Sequence, residues 1–343
     1  MRILLAAPSY GVHGGIEAFV MALADWLARS TSHEVRVCFK IVGGRVSRDL
    51  QASLESLKLE CRFARRGSAE ILRNIRWCDI LHANNCPPDI VLPAKLLRKP
   101  VILTIHNWYR GRRGLRNRLW LLCNRIADRR LYNSRFVWGT WEPGEPRRGS
   151  ELMPTVSHLP QLTVPVEVRK GFCFVARLIE NKGLDFLLKA YVAADIDKSQ
   201  WPLVIAGDGP LRAQLESYLR CQQPAGIEYR GFVSASDKDR LIAGSRWLVA
   251  PANTREDMGL TPIEARSVSV PSIVTRDGGL PESAGPSALL CRPADWQELR
   301  ARLEEAARMP DREYRERAMQ AHASLQGYLR PLADYATLYS QLA

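Results

Sequence analysis

No two of the eight cysteines stand as C-x-x-C, so neither a zinc ribbon nor a dithiol redox pair is written into this chain. Cys38 and Cys173 instead sit inside apolar runs, Val37-Cys38-Phe39 and Phe172-Cys173-Phe174, the usual setting of reduced, buried thiols. No run of about 18 apolar residues occurs, which argues against a membrane-spanning helix. Met1–Pro8 is apolar but is interrupted too early for a secretory h-region, so a cytoplasmic location is expected, the inner face of the membrane included. Low-complexity tracts, short repeats and G-x-G-x-x-G are missing, and no aromatic stacking platform points to nucleic acid as a partner. D-x-D occurs at Asp195–Asp197 and Asp237–Asp239, both in polar helix-edge settings that read as surface. His13, His33, His82, His158 and His322 have no ligand spacing, so no metal is expected.

What is present is apolar material for two cores. The chain has 343 residues, 46% hydrophobic and 25% charged, and a single core rarely grows past about 250–300 residues. The net charge of +13 is unevenly placed: residues 1–165 carry 26 Lys and Arg against 13 Asp and Glu, while residues 166–343 carry 23 of each. The first half therefore either meets something anionic or wears a solvated basic face.

Short apolar runs at Ile3–Ala7, Val35–Ile41, Ile80–Ala83 and Val101–Ile105 alternate with helical patterns at Glu17–Arg29, Ile71–Trp77, Ile90–Leu97 and Leu115–Ile126. The second half repeats this, with strands at Phe172–Ala176, Leu203–Ala206, Glu228–Tyr229, Trp247–Ala250 and Ser272–Thr275. Fully apolar strands separated by helices predict parallel sheets covered on both faces. The expected division is an α/β domain over 1–165, a second over 166–325, and a helix over 326–343 packing back on the first, with a cleft between the domains.

Four loops carry candidate chemistry. Gly14-Gly15 lies between the first strand and helix, where it either makes a tight turn or lets backbone amides approach an anion. Arg177 and Lys182 follow a buried strand and precede a helix, which suits phosphate binding or a solvated loop. Gly207-Asp208-Gly209-Pro210 is first of all a turn. Glu256 and Glu264 lie eight residues apart across a loop and a helix start, where the amides of Met258, Gly259 and Leu260 would face an anion.

With these motifs in order, the sequence resembles glycosyltransferase family 4, the retaining enzymes of GT-B fold (glycosyl transferases group 1). Glu256 and Glu264 fit its E-x7-E, Arg177, Lys182 and Gly183 its Arg-x4-Lys-Gly, and the Gly-Asp-Gly-Pro turn, Gly231-Phe232-Val233, Gly14-Gly15 and His106 fall in place. The resemblance covers about residues 1–325 and implies two Rossmann-like domains facing across a cleft. It implies that Arg177 and Lys182 bind a donor diphosphate, Glu264 the ribose hydroxyls and Glu256 the sugar hydroxyls. Met258, Gly259 and Leu260 would hold phosphate and sugar, and Gly207, Phe232 and Val233 would line the donor pocket. Gly14 and Gly15 would approach the diphosphate, and His106 would face the reacting sugar. A nucleotide-sugar, of UDP-sugar or GDP-mannose type, would be a substrate, with no cofactor or metal. The acceptor would be a glycan or lipid-linked glycan of bacterial cell-surface polysaccharide or lipopolysaccharide synthesis. Asp257 and Met258 depart from the family's usual Gly-aromatic pair, which bears on sugar preference.

Arg110, Arg112, Arg113, Arg116, Arg118, Arg125, Arg129 and Arg130 surround Leu115, Leu119, Trp120, Leu122 and Ile126. Such a basic amphipathic segment suits peripheral docking on an anionic membrane, or else is a core helix with a charged outer face. A nucleotide-sugar epimerase of the same fold and a non-catalytic carbohydrate- or membrane-binding module are the competing functions. Arg177, Lys182, Glu256 and Glu264 together disfavour both.

Overall fold

The computed structural model describes residues 1–343 except 12, 13, 44, 45, 58, 86, 112, 113 and 343. Two compact units emerge: residues 1–157 with 329–343, and residues 158–328.

The first unit opens with β1 (Arg2–Ser9), α1 (Gly15–Ser30), β2 (Glu34–Ile41), α2 (Arg48–Ser56), β3 (Glu60–Arg65) and α3 (Ala69–Trp77). It continues with β4 (Ile80–Asn84), α4 (Pro88–Leu96), β5 (Val101–Ile105), α5 (Leu115–Ile126), β6 (Arg129–Tyr132), α6 (Arg135–Trp141) and β7 (Ser150–Leu152). The strands form one parallel sheet ordered β3-β2-β1-β4-β5-β6-β7. Alternation along β1 explains why its run is wholly apolar. Ile3, Leu5 and Ala7 enter one core with α1, while Leu4 and Ala6 enter another on the opposite face.

The second unit holds β8 (Lys170–Val175), α7 (Leu184–Ala193), β9 (Leu203–Ala206), α8 (Arg212–Gln222), β10 (Ile227–Tyr229), α9 (Ala235–Gly244) and β11 (Ser245–Ala250). There follow α10 (Leu260–Ser267), β12 (Ser272–Thr275), α11 (Leu280–Ala284), β13 (Leu289–Cys291), α12 (Trp296–Arg308) and α13 (Asp311–Gln326). Its parallel sheet is ordered β10-β9-β8-β11-β12-β13. The order reverses between β8 and β11, a topological switch point of the kind where open α/β sheets bind ligands. The expected pair of doubly wound domains is therefore what the chain forms.

The units part after Ser157, ahead of the expected 165/166 division. The physical reason is that the connecting stretch is already fixed to the second unit. His158 Nε2 donates to Asp239 Oδ2 at 2.8 Å, and the Pro160 carbonyl accepts from Ser267 Oγ at 3.1 Å. The last helix, α14 (Ala333–Ser340), belongs to the first unit, where Tyr335, Leu338 and Tyr339 are buried in the core containing Phe19.

Candidate functional site

In the second unit the sequence-chosen residues gather at the C-terminal edge of the sheet, around the switch point. Arg177 follows β8 and is exposed, with no ion pair among the described residues. The loop then reaches Lys182, and Gly183 turns left-handed (φ 71°, ψ 28°) to start α7. Only glycine fits there, because a Cβ would lie 2.0 Å from the Pro251 carbonyl oxygen. The same approach lets Asn253 N donate to the Asn181 carbonyl and Asn253 Nδ2 to that of Glu180, clamping the Lys182 loop onto the loop after β11. Across that clamp Lys182 Nζ donates to Glu256 Oε1 at 2.7 Å.

Gly207 has the matching role after β9. At φ 140° a Cβ would stand 1.8 Å from the Ala176 carbonyl oxygen, and its amide donates to Gly231 O at 2.8 Å. That bond ties Gly231-Phe232-Val233 to the turn. Phe232 is 79% exposed and, with Arg230, Val233, Ser234 and Asp237, lines an open depression of about 600 Å³.

The Glu256 loop is held from below by residues the sequence reading missed. Gly279 N donates to the Glu256 carbonyl at 2.8 Å, Ser283 Oγ bonds the Met258 carbonyl, and Gly278 approaches Glu256 more closely than any side chain would allow. Gly278-Gly279 follows an apolar strand as Gly14-Gly15 and Gly207 do, so the signal was available. Met258 is buried, Gly259 (φ 90°) is the residue before α10, and Leu260 is exposed at the helix start. First-turn amides of α10 have no intrahelical acceptor.

Glu264 on α10 is 8% exposed. Lys238 Nζ of α9 donates to its Oε1 at 2.5 Å, while Oε2 is buried without a hydrogen-bond partner among the described residues. Lys238 went unread because it stands in Asp237-Lys238-Asp239, taken as surface. Asp239 is in fact buried, since His158 reaches it from 81 residues away. Asp195, by contrast, is exposed and pairs with Arg308 at the surface.

In the first unit Gly14 and Gly15 open α1 at the end of β1. His106 follows β5. Asn84 Nδ2 donates to the Ala6 carbonyl, which turns Oδ1 toward His106 Nε2 at 2.8 Å, so Nε2 carries the proton. Phe19 meets the ring edge-on with centroids 5.3 Å apart. Burial lowers the His106 pKa to about 4, so the imidazole is neutral at pH 7. His82 is a satisfied core residue between Tyr339 Oη at 2.6 Å and Thr104 Oγ1 at 2.7 Å.

The basic segment divides. Arg110, in the loop before α5, and Arg116, Arg118 and Arg125 on α5 are exposed and carry no ion pair among the described residues, with Leu115 (73% exposed) and Leu122 (42%) also on α5. Arg130 is corrected: it is buried in β6, donating to the carbonyls of Ala127 and Arg148 and lying 3.4 Å from Glu142. Arg129 is likewise engaged, by Glu151 and Gln341. Arg112, Arg113, His13 and Cys86 lie outside the described residues.

The model of "Glycosyl transferases group 1" matches residues 163–323, and that of "Glycosyltransferase Family 4" matches residues 13–138. Among curated proteins, the GDP-mannose-dependent monoacylated alpha-(1-6)-phosphatidylinositol monomannoside mannosyltransferase of Corynebacterium glutamicum is 28% identical over 118 residues, 33% of this chain and 31% of that one. D-rhamnosyltransferase WbpZ of Pseudomonas aeruginosa is 32% identical over 108 residues, 31% of this chain and 27% of that one. The matched stretches thus span less than a third of either relative. Anabaena HepE, solved in complex with UDP, superposes with a TM-score of 0.80 at 16% identity, covering 99% of both chains. Fold and family profiles agree: this chain has the GT-B fold and belongs to the group 1, family 4 glycosyltransferases.

Proposed function

We propose that this chain is a retaining glycosyltransferase that moves a hexose from a nucleotide-sugar to a glycan or lipid-linked acceptor of bacterial cell-surface polysaccharide. The observation that carries the reading is the array at the switch point: Arg177, with no ion pair among the described residues, the Lys182–Glu256 pair, and buried Glu264 with one carboxylate oxygen left without a hydrogen-bond partner among the described residues. Breaking a sugar–diphosphate bond builds negative charge on the leaving phosphate, and Arg177 and Lys182 supply preorganised cations for it. With side-chain cations in that role the reaction is expected to be insensitive to EDTA. Glu264 accepts from a ribose hydroxyl and Glu256 from the donor sugar. Retention follows from attack on the face that the phosphate leaves, and His106, neutral, meets the sugar as a hydrogen-bond partner rather than as an acid. The relatives' printed activities, mannosyl and rhamnosyl transfer in O-antigen and glycolipid synthesis, support the acceptor class. Neighbours solved with UDP and UDP-glucose support a nucleotide-sugar. The mannosyltransferase named for GDP-mannose keeps both bases in play.

Thermal shift with UDP, GDP and ADP tests the reading. A nucleotide at about 100 times its Kd stabilises by ~2.7 kcal/mol. One of the three should raise the wild-type Tm, Lys182→Ala should abolish the shift, and Glu264→Ala should cut it by about half or more. No shift with any nucleotide, together with no product from UDP-glucose or GDP-mannose, would favour a non-catalytic module. Interconversion of the donor sugar without an acceptor would favour the epimerase.

A further inference from the structure

We propose that Lys238 is a positioning residue for Glu264: it locks Oε1, so that Oε2 is the acceptor offered to a ribose hydroxyl. The proposal rests on the donor-site reading above and adds a residue that the family motifs did not single out.

The sequence sets the rotation of α9. Ser234 caps the helix, accepting from Asp237 N at 3.1 Å. Asp239 is buried and held by His158 at 2.8 Å. With Asp239 fixed on one side, the preceding residue on the helix turns toward α10. There Lys238 Nζ, on a side chain only 23% exposed, meets Glu264 Oε1 at 2.5 Å.

Two physical consequences follow. The ammonium beside Oε1 offsets the carboxylate charge, so the ribose is bound without placing an uncompensated negative charge near the diphosphate. Finally, Lys238 occupies one oxygen and leaves the other buried without a donor among the described residues. A buried acceptor in that state is destabilising until a donor arrives, and a ribose hydroxyl is the donor this site is built to receive. Ribose discrimination is therefore a property of the Lys238–Glu264 pair and not of Glu264 alone.

Calorimetric titration with whichever of UDP, GDP and ADP binds, and with its 2′,3′-dideoxy form, tests this. Wild type should prefer the ribose form by about tenfold or more, as expected for a buried hydrogen bond to a charged group. Lys238→Met should weaken the ribose form alone, bringing the ratio close to one, and Lys238→Arg should restore most of it. In a Glu264→Gln background Lys238→Met should change nothing further, the signature of two residues acting as one. Should Lys238→Met fail to fold, Lys238→Ala, which likewise removes the donor to Oε1, takes its place in the same titration with the same expected outcome. Equal weakening of both ligands, or of neither, would overturn the role of Lys238 while leaving the donor site standing. A wild type that binds no nucleotide, or that makes no distinction even though Lys182→Ala abolishes binding, would remove Glu264 from ribose recognition, and this proposal with it.

Discussion

At the scale of single residues, two histidines couple this fold to pH. His82, enclosed by Tyr339 and Thr104, is held to a pKa of about 3 by burial, and His106 to about 4. Both fall from an ordinary value of 6.5, so the folded chain keeps them neutral while the unfolded chain takes up protons. Stability is then fully present above about pH 6.5 and is lost as the pH falls toward 4. At pH 5 each histidine should account for about 2 kcal/mol of loss. Urea midpoints at pH 7 and pH 5 check the sign, and His82→Gln should remove about half of the difference. A midpoint unchanged between the two pH values would refute the linkage. The residue scale also shows what a sequence hides. Arg130 reads as one more surface arginine in a basic run, yet its guanidinium is satisfied by three carbonyls and Glu142 inside the sheet. Asp239 and Lys238 read as polar helix edge, because the partners that bury them, His158 and Glu264, are distant in sequence.

Elements were legible where their periodicity was pure. β1, β5 and β8 announce themselves as apolar runs, and the glycines and charges that follow mark the C-terminal edge of the sheet before any coordinates are known. β3, a mostly exposed edge strand with charged residues at Glu60, Arg62 and Arg65, and β6, with its buried arginine, gave no such signal. Gly183 carries an element-scale prediction. Its φ of 71° and the 2.0 Å approach to Pro251 O leave no room for a methyl group. Gly183→Ala should therefore shift the whole Lys182 loop, costing at least about 2 kcal/mol of stability and weakening nucleotide binding, read from melting curves with and without nucleotide. An unchanged Tm would refute the packing argument. A second prediction concerns α5 as the membrane-facing helix we propose for the first unit, from its exposed arginines, which carry no ion pair among the described residues, beside exposed Leu115 and Leu122. The protein should co-sediment with phosphatidylglycerol vesicles and not with phosphatidylcholine alone. Arg116, Arg118 and Arg125 changed to Glu, or added salt that screens the attraction, should release it. Undiminished binding by that triple variant would discard α5 as the docking element.

For the molecule as a whole, the path of the chain decides which parts can stand alone. Residues 158–328 run without interruption through six strands and their covering helices, and contain every proposed donor contact except Gly14, Gly15 and His106. The first unit is discontinuous: its core is completed by α14, from which Tyr335, Leu338 and Tyr339 are buried against it. Each of those side chains is worth about 1.5–3 kcal/mol on burial, so together they rival the whole stability of a domain, about 5–15 kcal/mol. Removing them would also leave His82 Nδ1 without its Tyr339 partner in a dry core. Two unlike outcomes are therefore expected from two fragments. Residues 158–328 expressed alone should melt cooperatively and keep a nucleotide-dependent rise in Tm. Residues 1–157 should show no cooperative transition until a peptide covering 329–343 is supplied. If instead 1–157 melts cooperatively by itself, α14 is an accessory helix and not part of that core. If 158–328 folds but no nucleotide moves its Tm, the contacts from Gly14, Gly15 and His106 are indispensable to binding, and the donor site is not contained in the second unit.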